Sequence, residues 1–381
     1  MDAPAPTSPA PRRYDVAVRG TGIVGLTLAL LLARERLRVA LVGASAPVAD
    51  APDVRAYALN RAARDTLAAV RGWPEDGGAV TPVSAMRVWG DDGGALGFDA
   101  ADGGADALAW IVDVPALERR LRDAVGFAAG IDRVETAPAA ALTVVCEGRR
   151  SATRAALGIE FDVRPYPHKA LAARLRADMP HGGVARQWFS QGEVVALLPL
   201  GGADGHDLAL VWSLPAAQAD HWLAQDESAL ADAITTRSAR ALGALRPLAP
   251  AQAWPLERST AQRWIARGPH GAVALAGDAA HAVHPLAGQG LNLGLADAAA
   301  LARVLREREY WRDPGDEKLL RRYERARAAD TQAMGLLTDG LFGLFDHTDA
   351  RIQGLRNWGL NAVDRAGPLK RWFARQAMGA A

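Results

Sequence analysis

The sequence is short of cysteine, of net charge and of long apolar runs. Its single cysteine, Cys146, excludes a disulfide framework and any cysteine-based zinc site. Its formal net charge of +1 provides no overall field for nucleic acid, so we expect no such partner. No uninterrupted apolar run reaches the roughly 20 residues that a membrane span needs. Residues 1–13 are rich in Ala and Pro without an apolar signal core, so we expect a disordered lead and a cytoplasmic protein.

The length predicts more than one domain. The chain has 381 residues, whereas single hydrophobic cores stop growing at roughly 250–300 residues. Half of the residues are apolar and 23% are charged, which is typical of a globular protein and excludes a largely disordered one.

A glycine-rich turn near the start has the pattern Gly20-x-Gly22-x-x-Gly25. It follows a predicted strand over 14–19, precedes a Leu/Ala-rich helix over 26–34, and leads to a second strand over 38–42. Glycines in this context allow a tight turn and a close approach of backbone to a pyrophosphate at the helix N-terminus. The alternative is that the glycines serve helix–strand packing only.

A second glycine-rich passage runs from Gly277 to Gly294. It follows a predicted strand over 271–276 and leads into a helix over 291–305. Asp278 at the strand end is suited to accept hydrogen bonds from a polyol, and Gly288 and Gly290 let the loop lie against a planar ligand. The helix N-terminus directed at that loop would stabilise developing negative charge.

The middle of the chain has a different pattern. Segments 170–176, 194–200 and 208–214 read as strands between Gly, Pro and Asp turns, which indicates a mainly antiparallel sheet. From Lys318 onward the chain is mostly helical. Because elements of nucleotide-binding type lie at both ends, we expect the first domain to be discontinuous.

These motifs resemble those of the flavin-dependent aromatic hydroxylases of the para-hydroxybenzoate hydroxylase superfamily, and within it those of ubiquinone biosynthesis. The resemblance is carried by the 277–297 string, by the 54–60 segment around Arg55, and by 181–189 and 192–200. It implies an α/β fold with a Rossmann-like FAD-binding domain, an antiparallel-sheet substrate domain and a helical C-terminus. The expected limits are 14–65, 105–158 and 268–340 for the FAD-binding domain, 66–104 and 159–267 for the substrate domain, and 341–381 for the C-terminal segment.

The resemblance also implies a function. The chain would be an FAD-dependent monooxygenase that hydroxylates an aromatic ring of polyprenyl-phenol type in ubiquinone biosynthesis, with O2 and transient NAD(P)H, through a C4a-hydroperoxyflavin. It names no obligatory catalytic side chain and no metal. The implied cofactor-binding residues are Gly20, Gly22, Gly25, Arg55, Gly148, Gly277, Asp278, Pro285, Gly288, Gly290, Leu291 and Asn292.

Three departures from the family pattern concern FAD. Gly43 stands where an acidic residue would accept the ribose hydroxyls, and Glu147 replaces the Asp of an Asp-Gly pair. Only about twenty-five residues separate Leu121 from Glu147, so segment 122–146 is short and part of the FAD domain's sheet is expected to be missing. The alternative function is therefore a non-catalytic or weakly FAD-binding partner in a quinone-biosynthesis assembly.

Other residues leave alternatives open. His281 and His284 are either proton carriers or parts of the loop architecture, and Cys146 is expected to be a buried small hydrophobe. From Arg351 to the end, six Lys or Arg face one Asp, with Trp358, Trp372 and Phe373 among them. That segment either rests on an anionic membrane surface, at the inner membrane face, or packs ordinarily with a solvated face.

Overall fold

The computed structural model describes residues 14–43, 52–90, 93–201, 204–282 and 289–346. Within these ranges the strands form three β-sheets. Strands and helices are numbered in chain order. The predictions for residues 1–13 and 347–381 and for His284, Pro285 and Gly288 lie outside the described residues.

The first sheet has six strands and confirms the predicted α/β class. Its strands are β1 (Tyr14–Arg19), β2 (Val39–Val42), β8 (Ile131–Val134), β9 (Ala140–Val145), β15 (Ile265–Gly268) and β16 (Gly271–Leu275). Their order is β15-β16-β9-β1-β2-β8, with all pairs parallel except β15 with β16. This is the order of doubly wound dinucleotide-binding folds, so the carboxyl ends of β1, β9 and β16 meet at one edge.

Helices pack against one face of this sheet and form the larger core. They are α1 (Ile23–Arg34), α3 (Val114–Phe127), α7 (Gln289–Arg306) and α8 (Glu317–Asp346). Leu28 of α1 and Leu301 of α7 are fully buried there with Val16 and Val18 of β1. Two shorter helices are α2 (Arg61–Ala69) and α4 (Ala152–Ala156). None of the helices described is both long and apolar enough to cross a membrane.

Segment 122–146, from which strands of the family's sheet are expected to be missing, contributes β8 and β9 to this sheet. Strand β8 pairs with β2, and β9 pairs with β1 and β16. Residues 135–139 alone join β8 to β9. Among them, Ala137 packs on the fully buried Ala17 and Ala40, on the other face of this six-stranded sheet. Strand β8 was hard to predict because it has four residues, two of them, Asp132 and Arg133, exposed at a sheet edge.

The second sheet has eight strands and is mainly antiparallel, as predicted. It contains β5 (Ala85–Trp89), β6 (Ala95–Asp99), β10 (Phe161–Ala177), β11 (Val184–Ser190), β12 (Glu193–Pro199), β13 (Asp207–Pro215), β14 (Leu245–Ala261) and β17 (His281–Ala282). The order is β17-β14-β10-β13-β12-β11-β5-β6, and only β11 with β5 is parallel. Helices α5 (Ala216–Leu223) and α6 (Glu227–Arg237) cover one face around Trp212.

A small antiparallel sheet connects the two larger ones. Its strands β3 (Ala56–Leu59), β4 (Val80–Val83) and β7 (Ala109–Asp113) have the order β3-β7-β4. Strand β4 belongs to a segment that the sequence assigned to the substrate domain, and β3 and β7 to segments assigned to the FAD-binding domain. The domain limits therefore stay a prediction.

Candidate active site

A cavity of about 780 Å³ opens at the carboxyl edge of the six-stranded sheet. The turns after β1, β9 and β16 and the start of α7 form one side of it, and the free face of the eight-stranded sheet forms the other. Nine of the predicted site residues line it: Gly20, Gly22, Arg55, Gly148, Gly277, Asp278, Gly290, Leu291 and Asn292. Gly25 lies behind the turn and does not line the cavity.

The glycines of the motifs fall into two groups. A Cβ atom on Gly20 would lie 2.3 Å from the carbonyl oxygen of Cys146, and one on Gly25 would lie 2.1 Å from that of Gly20. These two glycines allow backbone segments to pack together. A Cβ on Gly22, Gly148 or Gly290 meets nothing within 4 Å among the described atoms, so these positions leave free space at the cavity wall.

Two helices begin at this wall. Helix α1 begins at Ile23 after the N-cap Gly22, whose position has no side-chain cap, and α7 begins at Gln289. The N–H groups of a helix's first turn have no acceptor within the helix and carry a partial positive charge. The cavity is thus bordered by two sites suited to anionic groups.

Asp278 has an unpaired carboxylate in the cavity. Its side chain is exposed to the cavity space, and no donor among the described residues forms a hydrogen bond with it. Burial within the surrounding protein raises the pKa of Asp278, while His281 and Arg149 act in the opposite direction. A carboxylate in this position is suited to accept hydrogen bonds from a bound molecule.

Behind Asp278, a buried network fixes the turn. Asp297 of α7 is fully buried and accepts hydrogen bonds from the Gly277 N–H at 2.9 Å, His281 Nε2 at 2.6 Å and Arg327 Nε of α8 at 2.8 Å. Burial alone would raise the pKa of Asp297, but His281 and Arg327 outweigh it and hold that pKa below its usual range. His281 is 2% exposed and stacks on Trp264, which favours the architectural alternative for this histidine.

Glu147 serves the neighbouring turn rather than the cavity space. It lines the cavity, but its carboxylate accepts four hydrogen bonds, from Arg19 Nε, Ser151 Oγ and the Thr153 N–H and Oγ1, at 2.7–3.1 Å. Burial would raise the pKa of Glu147, but these bonds lower it overall. Glu147 and Ser151 together fix the N-terminus of α4.

Arg154 links the turn after β9 to the turn after β16. Its buried guanidinium donates to the carbonyl oxygens of Ala279 at 3.0 Å and Arg149 at 2.7 Å, and lies 3.5 Å from the centre of the Phe161 ring. The turn after β9 and the turn after β16 therefore keep a fixed separation.

The structure also brings in residues that the sequence did not single out. Asn292 Oδ1 accepts from the Asn60 N–H at 3.0 Å, and its Nδ2 donates to Ala58 at 2.9 Å, which attaches β3 to the start of α7. Arg55 is held by Asp53 in a two-bond ion pair, and this hydrogen bonding raises the pKa of Arg55. No local signal marks the partners of Asn292, because each of its two bonds spans more than two hundred residues.

Comparisons with known proteins show which family the chain belongs to. Residues 126–335 match the family model described as FAD binding domain. The chain is 32% identical to a ubiquinone hydroxylase, UbiL, of Rhodospirillum rubrum, with 99% of this chain and 93% of that protein covered. It is 29% identical to the 3-demethoxyubiquinol 3-hydroxylase of Escherichia coli, with 96% and 98% covered. The chain belongs to the FAD-dependent hydroxylases of ubiquinone biosynthesis.

Solved structures show the same fold. PqsL, a probable FAD-dependent monooxygenase from Pseudomonas aeruginosa, has a TM-score of 0.73 at 22% identity, covering 91% of this chain and all of that one. HpxO of Klebsiella pneumoniae, solved with FAD and uric acid, has a TM-score of 0.69 at 18% identity, covering 94% and 97%.

The hydroxylase is thus an FAD-dependent aromatic monooxygenase, and FAD is its cofactor, with NAD(P)H the reductant typical of the family. The prediction of this function from the sequence is confirmed. The alternative, a non-catalytic partner, is not favoured by these relatives.

Proposed function

We propose that the cavity holds FAD between the two glycine-rich turns. The enzyme hydroxylates there the ring of a polyprenylated phenol, a precursor of ubiquinone. The observation that carries this proposal is the set of open glycine positions, Gly22, Gly148 and Gly290, around the unpaired carboxylate of Asp278. Open backbone and an unpartnered acceptor at one wall fit a ligand that has a pyrophosphate, a polyol and a flat ring. FAD, once reduced by NAD(P)H, supplies the activation of O2.

Each wall residue has a proposed task. The first-turn N–H groups of α1 after Gly22 bind the pyrophosphate, with Gly20 and Gly25 shaping the turn. Asp278, positioned by Gly277, accepts hydrogen bonds from the ribityl hydroxyls, and Arg55 and Gly148 border the same space. Gly290, Leu291 and Asn292, which line the cavity at the start of α7, face the isoalloxazine ring.

The start of α7 has an electrostatic task. The N–H groups of Gly290 and Leu291 lie in its first turn, where they stabilise negative charge that develops on the ring on reduction. The side chain of Asn292 is bonded to β3 and holds that turn in place.

The opposite wall suits an apolar aromatic substrate. Strands β10 to β13 present small and apolar side chains to the cavity, among them Ala170, Ala172, Ala196 and Val211. Such a wall excludes water from the reacting ring and accepts an isoprenoid chain.

The location and partners are part of the same proposal. A polyprenyl substrate dissolves in membranes, so we place the protein in the cytoplasm at the inner membrane face. We propose that segment 351–381 makes the membrane contact and that the protein works in a complex with other enzymes of the pathway. The support is the six basic and three large aromatic residues of that segment against one acidic residue.

The test is a spectrum followed by a product analysis. Purified protein given FAD should show a flavin absorbance band, and with NAD(P)H, isotopically labelled O2 and a polyprenylphenol it should release a product carrying one labelled oxygen atom. Protein that shows no flavin band, or a product without the label, would contradict the proposal.

A further inference from the structure

Strands β10 to β13 of the substrate-side wall present one polar side chain to the cavity among many apolar ones. Of the residues that the described strands β10, β11, β12 and β13 contribute to the lining, only Gln187 is polar. Its neighbours include Ala172, Ala185, Ala196 and Val211. An amide in such surroundings needs an explanation, because polar groups buried without a partner are costly.

The strand register directs Gln187 into the cavity. It lies opposite Ala196 of β12, and both line the cavity, while successive side chains of a strand point to opposite faces. Its neighbours Arg186 and Trp188 therefore point away from the cavity, and Trp188 packs against the core on the other face of the sheet. The direction of Gln187 is fixed by the same alternation that packs Trp188 against the core on the other face.

The amide has no partner in the protein. Gln187 is 8% exposed, and no described residue forms a hydrogen bond with its Oε1 or Nε2. A structural role would bond the amide to a neighbouring strand or side chain, as Asn292 is bonded to β3. Water in the cavity can serve the amide of the free protein, but an apolar molecule that enters displaces this water.

We propose that Gln187 binds the ring hydroxyl of the aromatic substrate and so determines specificity for a phenol. This inference rests on the proposed function. The amide N–H donates to the hydroxyl oxygen and the amide carbonyl accepts the hydroxyl proton, while the alanines on either side leave room for the ring. A site that hydrogen-bonds a substrate hydroxyl discriminates strongly against an analogue that lacks it.

The experiment compares a phenol with its methyl ether. The holoenzyme is titrated with a short-chain prenylphenol and with the corresponding methyl ether, and the change in the flavin spectrum gives each dissociation constant. For the wild type we expect the phenol to bind at least tenfold more tightly than the ether. For Gln187→Leu we expect the phenol to lose at least tenfold in affinity and the ether less than twofold, with the affinity for FAD unchanged.

A matched control makes the same chemical change elsewhere. Gln218→Leu alters an exposed glutamine of α5, on the sheet face away from the cavity, and should leave both constants unchanged. Equal losses for phenol and ether in Gln187→Leu, or no loss, would overturn the inference while the holoenzyme and its activity stand. Wild-type protein without a flavin band would instead overturn the proposed function, and the inference with it.

Discussion

Gly290→Val tests whether the first turn of α7 faces the flavin. A Cβ at position 290 meets no described atom within 4 Å, so the valine would project into the cavity and displace the ring. A partly buried helix terminus contributes up to about 2 kcal/mol to a nearby charge. Since 1.36 kcal/mol is about tenfold in rate, loss of this contribution should slow flavin reduction by roughly ten- to thirtyfold.

The same change should leave the flavin-free protein as stable as the wild type. The new Cβ meets no atom of the described residues within 4 Å, and valine has a higher helix propensity than glycine. Anaerobic stopped-flow bleaching of the flavin band by NAD(P)H measures the rate, and the melting temperature of the flavin-free protein measures the stability.

Two further variants serve as controls for Gly290→Val. Gly126→Val is the matched control, because Gly126 is an exposed helical glycine of α3 with no atom within 4 Å of its Cβ position. Gly294→Val is the packing contrast, because its Cβ would lie 2.7 Å from Cγ2 of Val24. If Gly290→Val is reduced at the wild-type rate, or melts as early as Gly294→Val, the turn does not face the isoalloxazine and the assignment is refuted.

Three other predictions follow from the site. Asp278→Ala should lose flavin while its circular dichroism stays native, because its carboxylate has no partner among the described residues; Asp162→Ala, an exposed carboxylate, is the control. Gly43→Glu alone should not tighten FAD binding, because its Cβ would lie 2.9 Å from Cγ2 of Thr21. The double variant Gly43→Glu with Thr21→Ala should tighten FAD binding about tenfold, which is the value of a charged hydrogen bond. A fluorescence titration measures both affinities. The lowered pKa of Asp297 contributes stability that is present above its ordinary pKa of 3.8 and is lost as the pH falls through the lower folded-state pKa. Asp297→Asn should therefore have a lower melting temperature at neutral pH, and its melting temperature should fall less steeply as the pH is lowered into the acid range.

The elements next to the glycine motifs could be predicted from the sequence because their signals are local. Strand β1 has the predicted limits Tyr14–Arg19, and the helix predicted over 291–305 is α7, Gln289–Arg306. Apolar runs bounded by glycine determine these elements without help from distant residues. The positions of Gly22, Asp278 and Gly290 at one cavity wall follow from the parallel strand order.

The partners of the site residues could not be predicted, because tertiary contacts select them. Nothing near Asp297 in the sequence indicates that its carboxylate bonds to Arg327 of the next helix. The contact of Asn292 with the Asn60 N–H joins residues 232 positions apart. Strand β8 could not be predicted for the same reason, since its pairing with β2 compensates for a weak local strand signal.

The three departures from the family pattern have unequal consequences in the structure. Glu147 lines the cavity, but its carboxylate accepts hydrogen bonds from Arg19 and from the start of α4, so the longer side chain is held by the protein itself. The short connection before β9 leaves that strand paired on both sides. Only the departure at Gly43 is not compensated, because the methyl group of Thr21 occupies the space that the Cβ of a side chain at position 43 would need. The deficit therefore lies at the end of β2, away from Asp278 and Gly290. On the proposed placement of FAD, we expect it to lower the affinity for the cofactor and to leave the flavin chemistry unchanged.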